Sequence, residues 1–233
     1  MVLLCAPDVP RRRDGPWPRE VVRLAASATE TEKVVVDALE RARALVLGPG
    51  LGRSARLQRT VLDVLRATRE PAVVDADALH LVDAEYLRAR QERGGSPIVL
   101  TPHDGEYAAL LGTPPGADRI DAAVRAARRT GCTVLLKGPT TVVASPTPPP
   151  GVPGVLAVTA GTPDLATPGS GDVLSGVIGA LLARGLPAHL AAALAAHVHG
   201  RAGAALGAAC RASALPDAVA SVLAARRAPR PGD

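Results

Sequence analysis

Among its 233 residues the chain has no phenylalanine and no asparagine, one tryptophan, two tyrosines and only two lysines, Lys33 and Lys137. A core built without aromatics must rest on Ala, Val, Leu and Gly. That composition suits helices packed closely on a parallel sheet. The shortage of aromatics also leaves little for bases to stack on, which argues against a nucleic-acid partner. The net charge of +5 does not reverse this. Arg11, Arg12 and Arg13 with Arg226, Arg227 and Arg230 place six positive charges at the two ends, and the body is near neutral.

Cysteine is scarce as well. Cys5, Cys132 and Cys210 are odd in number and far apart. That excludes a disulfide scaffold and a CxxC metal site, and it fits a reducing cytoplasm. Long apolar runs are missing too. The most apolar stretch, Val173 to Val198, is interrupted by Arg184, Pro187 and His189, so neither half reaches the ~20 residues that span a bilayer. The opening MVLLCAPDVPRRRDG carries its charges after the apolar run, the reverse of a secretory signal. No membrane partner and a cytoplasmic location are therefore expected.

What is present is a globular composition, 47% hydrophobic and 21% charged, of a size that fits one large domain. Short β-branched or Leu-rich runs alternate with amphipathic stretches. Strands are predicted at Val2–Cys5, Ala44–Leu47, Ala72–Val74, Ile98–Leu100 and Thr133–Leu136. Thr141–Ala144 and Leu156–Val158 read as a hairpin around the proline-rich loop 146–153. Helices are predicted from a Thr29-x-x-Glu32 capping box to about Arg43, over Ser54–Arg66 and Ile120–Arg129, and from near Gly171, Pro187 and Pro216. There is no internal repeat. The alternation indicates an α/β protein with a mostly parallel, doubly wound sheet.

In such a sheet the ligand crevice lies beyond the C-terminal ends of the strands. Polar and glycine residues collect at those ends: Gly48–Gly52, Asp75 and Asp77, His103 to Glu106, Lys137-Gly138, and Thr159 through Asp172. Gly169-Ser-Gly-Asp172 is the sharpest of these. Glycines opening a helix let backbone N–H groups approach an anion, and Asp172 would stand beside that anion as a base. Taken alone the same residues also fit a tight turn and a capped helix. Lys137 fits a phosphate contact or a surface lysine. His103 fits a ligand contact or a cap for Glu106. His197 and His199, two apart on a helix, read as structural.

In order, LGPGLG, VVDADAL, LTPHDGE, LLKGPTT and GSGDVLSGVIGALLARG resemble the NAD(P)H-hydrate dehydratase family, of ribokinase-like fold, from about Leu45 to Gly203. The resemblance implies a three-layer α/β/α domain over residues 1–233. It implies a repair lyase that dehydrates the S-epimer of hydrated NADH or NADPH at the expense of ADP (ATP possible), with Mg²⁺ arriving with the nucleotide rather than in a dedicated protein site. A homotetramer, and pairing with an NAD(P)H-hydrate epimerase, are implied as well. Carried over by residue, Asp172 would be the catalytic carboxylate. Lys137, Gly138, Pro139, Thr140, Thr141 and Gly171 would hold the nucleotide, and Gly52 and His103 would contact the hydrated dinucleotide. A kinase acting on a small vitamin-precursor alcohol, or a degenerate nucleotide-binding protein, are the competing readings.

The sequence departs from the family pattern in three places. His80 stands where Asn usually follows DADAL. Gly161-Thr-Pro-Asp164 replaces Gly-Asn-Pro-Gly and adds a negative charge. The strand, Gly-rich loop and helix that usually precede the strand resembling Val2–Cys5 are absent, so residues 1–28 read as a divergent or truncated front and part of the substrate wall is expected to be missing.

Overall fold

In the computed structural model, residues 2–7, 20–27 and 29–225 are described. Most of the front expected to be divergent or truncated, residues 8–19, lies outside them. The chain order is β1 (Val2–Pro7), β2 (Val21–Ala26), α1 (Thr31–Leu39), β3 (Leu45–Leu47), α2 (Ala55–Ala67), β4 (Ala72–Val74), α3 (Ala84–Glu92), β5 (Ile98–Leu100), α4 (Asp104–Leu111) and α5 (Arg119–Thr130). It continues with β6 (Thr133–Leu136), β7 (Thr141–Ala144), β8 (Val155–Val158), α6 (Ser170–Ala183), α7 (Ala188–Leu206) and α8 (Leu215–Ala225).

Six strands form one sheet in the order β3-β4-β5-β6-β7-β8. The first four are parallel, and β7 and β8 close the edge as an antiparallel hairpin. The central strands are apolar on both faces because both faces are covered. Ala72, Val74, Ile98, Leu100, Val134 and Leu136 face a layer that includes Val61 and Leu65 of α2, Leu87 of α3, Tyr107 of α4 and the alanines of α5. Val73, Val99, Leu135 and Val143 point the other way, onto Leu174, Ile178 and Leu182 of α6 and Ala191, Ala192 and Ala195 of α7. Alternate residues of one strand thus serve opposite layers, as the period of two requires. Small alanines of α5 and α7 fill much of both helix layers, in a chain with few aromatics.

Helix ends follow the local chemistry. Ser54 caps α2 by accepting from the Leu57 N–H. α5 stops at Gly131, in the left-handed region. The front differs from expectation in two ways. VVRLAA forms β2, which pairs in parallel with all of β1 as a separate two-stranded sheet. The capping box does not form at Thr29 and Glu32. Instead the Glu30 carboxylate accepts from the N–H and hydroxyl of Ser27, and the Thr31 hydroxyl donates to the Ser27 carbonyl. Two Ser/Thr-x-x-Glu patterns overlap here; Ser27 and Glu30 bond to each other in the turn before α1, whose N-cap, Glu30, makes no side-chain cap bond.

Candidate active site

β4, β5 and β6 are adjacent and parallel, so Asp75, His103 and Lys137 emerge from neighbouring strand ends. The Asp75 side chain is 2% exposed and sits 3.0 Å from Lys137 Nζ. The Ser175 hydroxyl, reaching down from α6, donates to its other oxygen at 2.6 Å. Glu106, in the first turn of α4, lies 3.3 Å from the same ammonium. One lysine therefore meets two carboxylates that are otherwise buried. Burying charge is tolerable where it is paired and hydrogen-bonded, as here.

His103 closes a capping box at the start of α4. Its Nδ1 accepts from the Gly105 and Glu106 N–H groups, while the Glu106 carboxylate accepts from the His103 N–H. Of the two readings open to this histidine, the cap is realised, and the ring remains exposed beside the cluster.

Gly52 reaches the site by a different route. Its N–H donates to Asp77 at 2.8 Å, and Arg53 pairs with the same carboxylate at 2.6 Å. These two bonds hold the Asp77 carboxyl below its usual range. The second aspartate of DADAL thus anchors the Gly48–Gly52 loop. Gly48 has φ +125°, and a Cβ there would collide with the Asp75 carbonyl, so the loop packs directly on the strand end that carries Asp75.

α6 opens at Gly169, whose φ of +85° needs glycine. The space beside Gly171 faces the cluster: a Cβ there would stand 3.7 Å from Lys137 Nζ and 3.9 Å from Asp75 Oδ2. Asp172 follows in the first helical turn, exposed and making no side-chain cap bond. Partial burial and the nearby Asp75 charge raise its proton affinity, and Lys137 opposes them. Gly138, Pro139 and Thr140 form the turn between β6 and β7, and Thr141 opens β7. They run on from Lys137 rather than into the carboxylate cluster. Asp164 is exposed and accepts from the Thr162 hydroxyl.

Two contributors escaped sequence reasoning. Ser175 is fully buried and binds Asp75 across 100 positions. Its only sequence signal is a hydroxyl three residues after Asp172 on an otherwise apolar helix. Arg119 opens α5 and donates to the Lys137 carbonyl oxygen at 2.6 Å. It stands just before the helix predicted over Ile120–Arg129 and carries no local signal of its own.

The cluster fits an anionic ligand. The free N–H groups of the α6 N-terminus, the glycine-sized gap at Gly171 and the Lys137 ammonium converge on one spot. Among the described residues no group of three or more His, Cys, Asp or Glu could hold a metal ion. The nearby carboxylates, Asp75 and Glu106, already face Lys137. A divalent cation would have to draw most of its ligands from phosphate oxygens and water, which suits Mg²⁺.

A three-layer α/β/α sheet whose strand ends meet a glycine-opened helix places the chain in the ribokinase-like class. Within that class it belongs to the NAD(P)H-hydrate dehydratase family, whose sequence pattern matches residues 5–224. The bifunctional NAD(P)H-hydrate repair enzyme Nnr of Mycobacterium leprae is 49% identical over 193 residues, 83% of this chain and 37% of that protein. The ADP-dependent (S)-NAD(P)H-hydrate dehydratase of Neisseria meningitidis is 41% identical over 163 residues, 68% of this chain and 53% of that protein. The ADP/ATP-dependent NAD(P)H-hydrate dehydratase of Bacillus subtilis, crystallised with ATP and Mg²⁺, superposes with a TM-score of 0.73 at 28% identity, covering 88% of this chain and 72% of that one. The chain thus spans about a third to a half of the length of these two sequence relatives. Among the described residues, no helix is long and apolar enough to cross a membrane.

Proposed function

We propose that this chain dehydrates the S-epimer of hydrated NADH or NADPH, consuming ADP, with ATP as an alternative donor, and that residues 1–233 act as one domain. The observation that carries the reading is the meeting of Gly171, Lys137 and Asp172 at one helix end. Donors for a phosphate and a carboxylate of raised proton affinity share that corner.

The chemistry follows from what the residues can do. Hydroxide is a poor leaving group. Transfer of a phosphoryl group from the nucleotide to the ring hydroxyl converts it to phosphate, and the enamine nitrogen lone pair then expels that phosphate. Loss of the ring proton restores the dihydronicotinamide. Asp172 takes the hydroxyl proton during the transfer. The N–H groups of Gly169 and Gly171 and the Lys137 ammonium stabilise charge on the phosphoryl in flight. Asp75, Glu106 and Ser175 keep that ammonium in place. Mg²⁺ bound to the nucleotide would add charge neutralisation. The Lys137–Thr141 turn holds the nucleotide, and Gly52 and His103 line the dinucleotide side.

A cytoplasmic homotetramer belongs to the same reading, as does a partner activity in an NAD(P)H-hydrate epimerase. The relative from Mycobacterium leprae, bifunctional by name, supports a second repair function beside this one. The test is incubation with hydrated NADH and ADP, following return of dihydronicotinamide absorbance, against a panel of thiazole and pyrimidine alcohols with ATP. Turnover of an alcohol without dehydration would make the chain a kinase. ADP binding with no turnover would make it a degenerate nucleotide-binding protein.

A further inference from the structure

We propose that Arg119 is a positioning residue that locks the Lys137–Thr141 turn to the His103–Glu106 turn, fixing the nucleotide and substrate halves of the site in one geometry. The inference rests on the functional reading above for the identity of the two ligands.

A single guanidinium spans both turns. Its Nη2 donates to the Lys137 carbonyl oxygen at 2.6 Å, and its Nη1 pairs with Asp104, the residue after His103, at 2.9 Å. The two nitrogens of the planar fork hold the two turns in one fixed relation, which the compact point charge of a lysine ammonium does not reproduce. The residue stands at the first position of α5, where the helix dipole disfavours a cation. Its charge therefore serves the two turns and not the helix. Its Nε is buried without a partner, so the side chain gives up solvation to hold this pose.

Gly138 supplies an independent observation. Its backbone is not among the glycines with positive φ, so the turn itself does not require glycine. The guanidinium in this pose takes up the space that a side chain would fill. A Cβ at Gly138 would stand 2.6 Å from Nη2, 2.8 Å from Cζ and 2.9 Å from Nε of Arg119. The glycine of the KGPTT segment is the space across which Arg119 lies. A methyl there would push the guanidinium off the Lys137 carbonyl and release the turn, although Arg119 itself is unchanged.

The test is a cycle of Arg119→Ala, Gly138→Ala and the double variant, titrated calorimetrically with ADP, with ligand-free melting temperatures as the control. Arg119→Ala is expected to weaken ADP binding about tenfold, the scale of a lost charge-assisted bond. Gly138→Ala is expected to weaken it to a similar extent. The double variant should bind like Arg119→Ala alone, because the methyl then has nothing to displace. Arg119→Lys should not restore affinity. Additive losses in the double variant would overturn the proposal, since the two residues would then act separately. So would wild-type affinity in Arg119→Ala or, should that variant not fold, in Gly138→Ala. Absence of ADP binding by the wild-type chain would instead overturn the functional reading, and with it the ligand named here.

Discussion

Two aspartates share the neighbourhood of Lys137 and live in opposite surroundings. At the end of β4, Asp75 is buried and both of its oxygens are engaged, by the Lys137 ammonium and the Ser175 hydroxyl. In the first turn of α6, Asp172 is exposed, makes no cap bond and has its proton affinity raised. A carboxylate whose lone pairs are satisfied is a poor base and a good anchor. One with free lone pairs at a helix N-terminus can accept a proton from a bound hydroxyl. The difference separates support from chemistry within a single cluster, and substitutions at the two positions should separate in the same way.

The largest expected effect is at Asp172. Asp172→Asn keeps the size and removes the basicity, so turnover should fall about 10²–10⁴-fold. Nucleotide binding and melting temperature should stay close to wild type, since the side chain holds nothing in place. A variant keeping more than half of wild-type turnover would show that Asp172 is not the base and that the comparison is wrong.

Lys137 lies between the two aspartates and probes both roles. Lys137→Ala should weaken ADP binding at least about tenfold, the worth of a charge-assisted phosphate contact, and hydrated NADH binding much less. It also strips Asp75 and Glu106 of their cation, so the melting temperature should drop. Equal weakening for both ligands, measured by calorimetry, would reduce Lys137 to a counter-ion.

Asp75→Asn should show the inverse of Asp172→Asn. An amide at this site brings its own N–H donors toward the Lys137 ammonium or the Ser175 hydroxyl, so a buried donor loses its acceptor. About 1–3 kcal/mol of stability should be lost, read as a lower urea midpoint with an unchanged slope. Wild-type stability here would mean that the cluster relaxes freely and that Asp75 is no anchor.

The sequence carried much of this arrangement and missed the rest for physical reasons. The central strands were legible because they are short Val/Leu runs bounded by turns, and their ends marked the crevice. Asp172, Lys137 and His103 stood out because a carboxylate after glycines, a rare lysine and a histidine after proline are locally unusual. Ser175 and Arg119 did not. Their roles exist only once α6 lies over β4 and α5 lies beside the Lys137 turn, contacts that no window of sequence contains. The strand VVRLAA was hidden by Arg23, which breaks its apolar run, and by the proline-rich segment before it. The capping box at Thr29 was misread because two such patterns overlap, and the local bonds form between Ser27, Glu30 and Thr31 instead.

The smallest effect sharpens the comparison most, because it reads one aspartate through the other. Partial burial raises the Asp172 carboxyl first, and the Asp75 charge adds to it, while Lys137 opposes both. As the pH falls, Asp172 is protonated and can no longer accept the hydroxyl proton. The acid limb of the rate profile should therefore lie above the ordinary carboxylate range of about 3.9. The sign is opposite to that of a salt-bridged acid: raised proton affinity in the folded state means that Asp172 stabilises the fold less once ionised, so activity and stability diverge in this window. In Asp75→Asn the neighbouring negative charge is gone and Lys137 is less neutralised. Both changes favour the ionised form of Asp172, so the acid limb should move to lower pH while the maximal rate falls for lack of a well-held lysine. The comparison to make is the full pH–rate profile of the two proteins at one ionic strength with saturating ADP. An acid limb that does not move would mean that Asp75 does not set the proton affinity of the base, and that the two aspartates, though neighbours of one lysine, titrate independently.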